Sequence, residues 1–214
     1  MKRFLAYVFS FGTLVLLFAS CERSAYYGMK EGSVVYDMEL VGDKLDPMMK
    51  AMMPSEVTTY FADGKSCTVM EGGAGFFENR LLLDPEKKLF ATLTSFMGNK
   101  TARVMNTDSM KNDIKAKKPE VTYTGVKKEI AGIMCEEAVL KGDSGSSYRV
   151  FYTDELDVKA PDVATTMFTE IEGLLMEYQI DMPGFTMKMT AKKISGDKPD
   201  PTLFTIPKEY EIKK

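Results

Sequence analysis

The sequence predicts a mainly β (α+β) protein built on one strongly curved antiparallel sheet, a half-barrel with a few short helices as its lid. Segments in which apolar and polar residues alternate recur along most of the chain, as expected for half-buried strands. Turn residues separate these segments at short intervals, which favours hairpins. Strands do not alternate with long helices, so a parallel βαβ sheet is disfavoured. A sheet of about eight to ten strands curls, and the helices are too few to cover both of its faces.

The first half of the domain is predicted to be a meander of strands. The first strand, residues 33–40, alternates strictly, with Val34 and Tyr36 among its apolar positions. Pro47 and Pro54 bracket a short helix that is rich in methionine. Further strands are predicted at 57–61, 67–70, 76–83, 89–96 and 102–105, with turns at Asp63-Gly64, 84–87 and Gly98-Asn99. The glycine-rich residues 71–75 predict a flexible crossing, because they lack the Lys-Ser/Thr of a phosphate loop.

The second half is predicted to repeat this meander. A polar helix begins at Thr107 and ends before Pro119. Strands are predicted at 121–123, 126–130, 134–141, 147–153, 174–180 and 186–194, with a short helix at about 163–170. Leu203, Phe204 and Ile206 form a last apolar patch, and Pro207 ends the ordered pattern.

The N-terminus resembles the signal sequence of bacterial lipoproteins. Lys2 and Arg3 precede an uncharged stretch of roughly 16 residues, shorter than the ~20 that span a bilayer as a helix. Residues 18–21, Phe-Ala-Ser-Cys, resemble a lipobox, with Phe18 where Leu is usual. The resemblance implies cleavage before Cys21 and lipidation of its thiol. The alternatives are a plain cleaved signal with an incidental cysteine, or an uncleaved anchor. The predicted organisation is a signal peptide at 1–20, a lipidated tether at 21–30 and a single domain at 31–210.

Lipidation of Cys21 would hold the protein on a membrane, because each buried CH₂ contributes about 0.8 kcal/mol and two or three acyl chains hold essentially permanently. No acidic run follows the cysteine that would indicate export to the cell surface. We therefore expect a lipid-anchored protein of the outer membrane that faces the periplasm.

Composition excludes several classes of function. The chain has 28 basic and 31 acidic residues, and removal of Lys2 and Arg3 with the signal lowers its formal net charge from −3 to −5. No basic patch with interleaved aromatic residues occurs, so nucleic acid is not an expected partner. The chain has no His, which excludes Ser-His-Asp triads, Cys-His pairs and His-based zinc sites. No metal or cofactor is expected.

The acidic pairs of the sequence do not predict an enzyme. Glu136 is followed by Glu137, and Asp154 by Glu155. Two carboxylates can catalyse glycoside hydrolysis only when they face one another, whereas neighbours on a strand point to opposite faces. We therefore interpret these side chains as solvated and expect no enzymatic activity.

Two cysteines remain if Cys21 is lipidated. Cys67 and Cys135 would form a disulfide that closes a loop of about 70 residues, which the chain-entropy model values at ~4 kcal/mol. Alternatively, each is a small buried hydrophobic residue on its own strand. The sequence leaves both readings open.

Methionine is the most unusual component of the sequence. The predicted short helix carries Met48, Met49, Met52 and Met53, and a late strand carries Met187 and Met189, shortly after Met182. Flexible, polarisable thioethers suit a surface that adapts to varied apolar ligands. These methionines are therefore candidates to line an apolar pocket; the alternative is that they fill an irregular core. Thioethers also bind Cu(I), but no His accompanies them.

Several segments together resemble a family of secreted or lipid-anchored bacterial proteins known only as a domain of unknown function. They are Ile130-Ala131-Gly132 with Cys135, residues 147–156 (SYRVFYTDEL), Met182-Pro183-Gly184 with residues 187–191, and Leu203 to Pro207. That family is similar to the LolA/LolB-like lipoprotein carriers, whose fold is a half-barrel with a helical lid over an apolar cavity. The resemblance covers most of residues 31–210 and implies no catalytic residue.

Two functions are compatible with these observations. The first is a non-enzymatic outer-membrane lipoprotein that binds an apolar ligand, such as a lipid or the acyl chains of a lipoprotein. The second is a structural or interaction lipoprotein of the cell envelope, which binds another envelope protein through its surface. Fold alone does not choose between them.

Overall fold

The computed structural model describes residues 26–42, 46–108, 119–141, 147–156, 168, 170–182 and 184–213. In this part of the chain no helix has both the length and the apolar character needed to cross a membrane. The predicted signal peptide, Cys21 and most of the predicted helices at 107–118 and 163–170 lie outside these residues.

The described residues form one sheet of twelve strands. The strands are β1 (Gly32–Val41), β2 (Glu56–Ala62), β3 (Lys65–Gly72), β4 (Phe77–Asp84), β5 (Leu89–Phe96), β6 (Asn99–Asn106), β7 (Glu120–Ile130), β8 (Ile133–Lys141), β9 (Ser147–Thr153), β10 (Leu174–Met182), β11 (Phe185–Ser195) and β12 (Glu211–Lys213). Their spatial order is β12-β6-β5-β4-β3-β2-β1-β11-β10-β9-β8-β7. All neighbours are antiparallel except β12, which pairs with β6 in parallel.

The predicted fold class, a mainly β protein on one strongly curved antiparallel sheet, is confirmed. The sheet curls far enough for β7 to touch β11, although β8, β9 and β10 lie between them in the sheet. A short helix, α1 (Pro47–Met52), joins β1 to β2 as predicted. The carboxylate of Asp46 accepts a hydrogen bond from the Met48 N–H at 2.7 Å, which satisfies one free donor of its first turn.

The main core lies on the side of β1 that carries Val34, Tyr36, Met38 and Leu40, and we call this side of the sheet the core face. These four residues share one side because residues two apart along a strand point to the same side of the sheet. Buried residues from β8 to β11 complete the core, together with Leu156, Phe168 and Ile171 from the connection between β9 and β10. The apolar positions that the sequence assigned to β1 are therefore core positions.

The other side of the sheet is covered by the C-terminal segment 196–213, which we call the strap; we call this side the strap face. The strap includes a 3₁₀ turn, Pro201–Phe204, and ends in β12. Tyr210 packs into a second apolar cluster with Leu82, Ala91, Leu93 and Ala102. The strap therefore crosses the sheet from β11 to β6 and buries this second cluster, which lies on the side of the sheet opposite the main core.

Some sequence predictions were wrong in detail. The sheet has twelve strands rather than eight to ten, because each predicted segment forms a strand of its own apart from the two that merge in β7, and the ordered pattern continues beyond Pro207 into β12. The turn predicted at Gly98-Asn99 is formed by Met97 and Gly98, both with positive φ, and Asn99 already belongs to β6. The two strands predicted at 121–123 and 126–130 are one strand, because a bulge at Gly125 (φ 76°) interrupts the register without ending the pairing.

Candidate functional site

Two neighbouring turns form an uncharged tip at one end of the sheet. The link from β3 to β4 is a 3₁₀ turn, Gly73–Gly75, in which the glycines and Ala74 all have positive φ. The hairpin between β5 and β6 turns through Met97 and Gly98. The Met97 N–H donates a hydrogen bond to the Phe76 carbonyl at 2.9 Å, which joins the two turns. Residues 72–77 and 96–98 contain no charged side chain.

Large apolar side chains are exposed on these turns. Phe76 is 62% exposed, Phe96 46% and Met97 72%, and we call these three residues the apolar tip. Phe77, half-buried, stands directly opposite Phe96 in the sheet, so the two side chains point to the same side. Contiguous exposed apolar surface on a soluble domain commonly marks a binding site. The tip is therefore the leading candidate site on the described surface.

Further exposed apolar residues lie at the same end of the sheet. β1 ends there with Val41, and β10 ends there with Met182; they are 50% and 41% exposed. Helix α1 lies against the Gly73–Gly75 turn and carries Met48, which is 73% exposed. The tip thus continues into a rim of exposed apolar side chains along this end.

The methionines predicted to line a pocket are divided between several environments. Met48 is on the rim, and Met53 is half-buried against the main core. Met189 is buried between Met38 of β1 and Tyr178 of β10, its partners in the register. Met187 is half-buried beside Leu40. The side chains of Met49 and Met52 lie outside the described part. Met189 therefore fills core, and Met48 faces solvent.

Aromatic rings fill much of the space inside the curve of the sheet. The rings of Tyr36 and Tyr178 lie 5.9 Å apart, Tyr178 and Phe168 6.1 Å, and Phe168 and Tyr148 6.2 Å. These are edge-to-face arrangements, which add to the stability gained by burial. Phe168, a residue between β9 and β10 in the sequence, therefore packs inside the curve against Tyr148 of β9 and Tyr178 of β10.

The core face of β2 to β5 is polar in its middle. The hydroxyls of Thr59 and Thr68 lie 3.0 Å apart, and Asn79 donates to the Thr94 hydroxyl at 3.0 Å. Thr59 and Thr68 are already buried, but Asn79 and Thr94 are half-buried. An acyl chain lying over these two side chains would desolvate them, at a cost that their hydrogen bond offsets only in part. This region differs from the apolar trough that the resemblance to lipoprotein carriers implies, and apolar character concentrates at the tip instead.

The two cysteines are free thiols in different parts of the sheet. Cys67 on β3 and Cys135 on β8 are both completely buried, and five strands lie between β3 and β8. A disulfide requires Cα atoms within about 7 Å. Burial raises the pKa of Cys67 to about 11 and that of Cys135 to about 12. The sequence allowed either a disulfide or two buried free cysteines, and the structure contains two buried free cysteines.

The carboxylate pairs have separate structural roles. Glu137 is buried, accepts a hydrogen bond from Thr124 at 2.7 Å and pairs with Arg149 at 2.9 Å. Glu136 points away and pairs with Lys127 at 2.8 Å. Across the described residues, no group of three or more Cys, Asp or Glu side chains is placed to hold a metal ion. Glu136 and Glu137 therefore point to opposite faces, as the strand geometry predicts, but the interpretation that both are solvated is wrong for Glu137, which is buried and paired.

The similarity of this chain to known proteins is distant. No family model and no curated protein matches the chain. Among solved structures, the crystal structure of MucB is similar over 87% of this chain and 61% of its own, with 10% sequence identity and a TM-score of 0.35. This chain therefore spans less than two thirds of the MucB chain.

Sequence reasoning missed the apolar tip. The signal was present in Phe76-Phe77, which follow a glycine-rich stretch, and in Phe96-Met97 before Gly98. Residues 71–75 were interpreted as a flexible crossing, and the aromatic residues after them as ordinary strand positions. The tip differs from a core strand in that its side chains are exposed. That exposure depends on how the strands pack, which the sequence does not show directly.

Proposed function

We propose that this protein is a lipid-anchored protein of the bacterial outer membrane that binds an apolar ligand without enzymatic activity. The ligand is a lipid or the acyl chains of a lipoprotein. The observation that carries the proposal is the apolar tip: three large side chains, each at least 46% exposed, on two joined turns without a charge. Burying one such side chain contributes about 1.5–3 kcal/mol, so the tip supports useful affinity for an acyl chain.

The position of the tip also supports this proposal. The chain enters the domain at residues 26–32, where the Gly28 N–H donates to the Glu155 carbonyl at 3.2 Å. β1 then runs ten residues, about 33 Å, toward the rim. Residues 21–25 reach at most about 18 Å. A lipid on Cys21 would thus attach the domain at the end opposite the tip, which leaves the tip open to a ligand arriving from the other side.

The anchor and the binding site are tested separately. Cys21→Ala is expected to abolish labelling by palmitate and to move the protein from the membrane fraction to the soluble fraction. Retention of both label and membrane association would contradict anchoring through Cys21.

Lipid binding by the tip is tested on the Cys21→Ala protein, so that membrane association through a lipid on Cys21 does not mask it. Phe76→Ser with Met97→Ser is expected to lower sedimentation with phosphatidylethanolamine–phosphatidylglycerol vesicles, and the lipid retained in native mass spectrometry, by at least about tenfold. Val126→Ser is the matched control, since Val126 is 50% exposed on β7, away from the tip. No lipid binding by the parent protein, or equal losses in both variants, would contradict the proposal.

A second candidate function is docking of another envelope protein. The observation that favours it is β7, a strand at the edge of the sheet on which Tyr123 is 57% and Val126 50% exposed. This function predicts a co-purifying protein that is lost on Val126→Ser and retained on Phe76→Ser. Lipid binding through the tip predicts instead that the bound lipid is lost on Phe76→Ser and retained on Val126→Ser.

A further inference from the structure

A groove crosses the strap face of β11, β1, β2 and β3. The register places its floor in two neighbouring rows: Ser195, Ser33 and Tyr60 in the first, and Lys193, Val35, Thr58 and Val69 in the second. Residues directly opposite one another in antiparallel strands point to the same side, so the floor alternates hydroxyls with small apolar groups. The floor therefore combines hydrogen-bonding groups with an apolar base.

The groove has two compartments that share Tyr60. The first, of about 380 Å³, lies between the floor and the strap, which contributes Asp197 to Asp200 and Leu203. The second, of about 330 Å³, lies over β2 and β3 and includes Glu56 and Glu71. Each compartment falls in the volume range of small-ligand sites, roughly 300–1,000 Å³. Tyr60 forms the boundary between them and faces both.

The strap end of the groove offers two ammonium groups. In the described part of the chain, neither Lys193 nor Lys198 forms an ion pair. The two aspartates beside them are engaged: Asp197 accepts from the Ser195 hydroxyl at 2.6 Å, and Asp200 accepts from the Thr202 N–H at 2.8 Å. Both aspartates keep their negative charge, so this end is balanced overall. Its two ammonium groups form no ion pair with described residues, and they are therefore available to an anionic group of a ligand.

The opposite end offers a carboxylate. Asp37, Glu56, Glu71 and Glu78 form a row across β1 to β4. Lys192 pairs with Asp37 and Glu56, and Arg80 pairs with Glu78. Glu71, between them, forms no ion pair with any described residue. This second compartment is therefore suited to a cationic group.

The distance between the two charged ends of the groove determines the length of ligand that can reach both. Lys193 and Glu71 are separated by three strand spacings, about 14 Å, and by a further two residues along β3. We propose that this groove binds an extended peptide segment, with an acidic group at Lys193 and Lys198 and a basic group at Glu71. The two steps together amount to about 16 Å, which an extended chain covers in about five residues, and the first and fifth side chains of such a chain point to the same side. This site is independent of the lipid-binding function proposed for the tip.

The test is an NMR titration of the full-length Cys21→Ala protein with acetyl-Lys-Ala-Ala-Ala-Asp. Saturable shifts are expected for the Tyr60 ring and the Val35 and Val69 methyl groups. Glu71→Gln and Lys198→Gln are each expected to weaken binding about two- to fivefold, as for exposed ion pairs. The matched controls are Glu86→Gln and Lys208→Gln, exposed residues that line neither compartment; they are expected to leave the affinity unchanged.

Three results would overturn the proposal. The first is the absence of shifts at Tyr60, Val35 and Val69 at about 10 mM peptide, where even a millimolar site is largely occupied. The second is equal binding of the uncharged acetyl-Gln-Ala-Ala-Ala-Asn amide, since charge complementarity is the basis of the inference. The third is tighter binding of maltotriose, a neutral oligosaccharide, which would assign the groove to a different class of ligand.

Discussion

Tyr36 shows how a single residue connects distant parts of the chain. Its side chain is completely buried on β1, and its hydroxyl donates to the Leu175 carbonyl on β10 at 2.9 Å. A buried hydroxyl without a partner is costly, so this bond offsets the burial of the polar end of the ring. The ring itself packs edge-to-face on Tyr178. Tyr36 thus ties β1 to β10 across β11.

Tyr36→Phe is expected to lower the free energy of unfolding by about 1–2 kcal/mol, because it leaves the Leu175 carbonyl without this donor. Urea denaturation followed by circular dichroism measures the change. Tyr123→Phe, on exposed β7, is the control and is expected to change little. Equal stability of the two variants would contradict the role of the Tyr36 hydroxyl.

The cysteines give a second prediction for single residues. In the Cys21→Ala protein at pH 8, Cys67 and Cys135 are expected to resist labelling by iodoacetamide, because burial excludes the reagent and raises their pKa to about 11 and 12. Both are expected to react after denaturation without a reductant. Mass spectrometry distinguishes two labelled thiols from a disulfide, which would remain unlabelled.

At the scale of elements, the junction of β9 and β10 depends on Gly173. Its φ is +115°, and a Cβ at this position would lie 2.3 Å from the Thr153 carbonyl oxygen. Gly132, in the turn between β7 and β8, also has positive φ (+80°) but has no atom within 4 Å of such a Cβ. Close approach therefore requires glycine at 173, whereas only the backbone conformation favours it at 132.

Gly173→Ala is accordingly expected to destabilise the protein more than Gly132→Ala, whose cost is about 1–2 kcal/mol from the left-handed conformation alone. Thermal denaturation of both variants makes the comparison. If the two variants melt together, the approach of β10 to Thr153 is looser than the structure indicates.

The far end of the strap is held at Tyr210 by Glu78, a carboxyl group whose charge depends on pH. Burial raises the pKa of Glu78, but the hydrogen bond and charge of Arg80, the Tyr210 hydroxyl and Lys100 outweigh burial, so the pKa lies below its ordinary 4.5. Tyr210 donates to Glu78 at 3.2 Å, and Lys100 pairs with Glu209 at 3.3 Å. The ionised form of Glu78 is thus favoured by folding.

This contribution is fully present above pH 4.5 and is lost as the pH falls through the lowered pKa of the folded state. Glu78→Gln is therefore expected to be less stable than the parent at neutral pH, with the difference shrinking below pH 4.5. Urea denaturation across this range measures it, with Glu86→Gln as the control. A difference that stays constant with pH would show that the Glu78 charge does not hold the strap.

At the scale of the whole molecule, stability is expected to decrease from the centre of the sheet to its edges. β1 pairs on both sides, with β2 and β11, and alternate residues along it are buried. β7 is an edge strand exposed at residues 122–129, and β12 has only three residues. Local opening requires least free energy where few buried contacts are lost.

Hydrogen exchange followed by mass spectrometry is therefore expected to show the slowest amides in β1 and β11, and faster exchange in β7 and β12. Exchange in β12 as slow as in β1 would instead indicate that the strap unfolds only together with the sheet.

The strands and most of their turns were predictable from the sequence, because they depend on local rules. Alternation with a period of two predicted β1 and β9, and the turns on either side predicted β5, each within two residues at each end. Asp63-Gly64 was predicted as a turn, and both of its residues have positive φ. The core positions on β1 followed from the same alternation, and the fold class followed from the number and spacing of the strands.

Which surfaces meet depends on the packing of the whole chain. β1 pairs with β11 across some 150 residues of sequence, the strap crosses the sheet to β6, and Phe76, Phe96 and Met97 remain exposed while Phe61 and Phe90 are buried. The glycines beside Phe76 and Met97 mark turns, but they do not set the exposure of these side chains, because burial depends on neighbours that are distant in sequence. Local patterns therefore suffice for the strands and their inward residues, whereas the tip, the groove and the separation of the two thiols arise from packing.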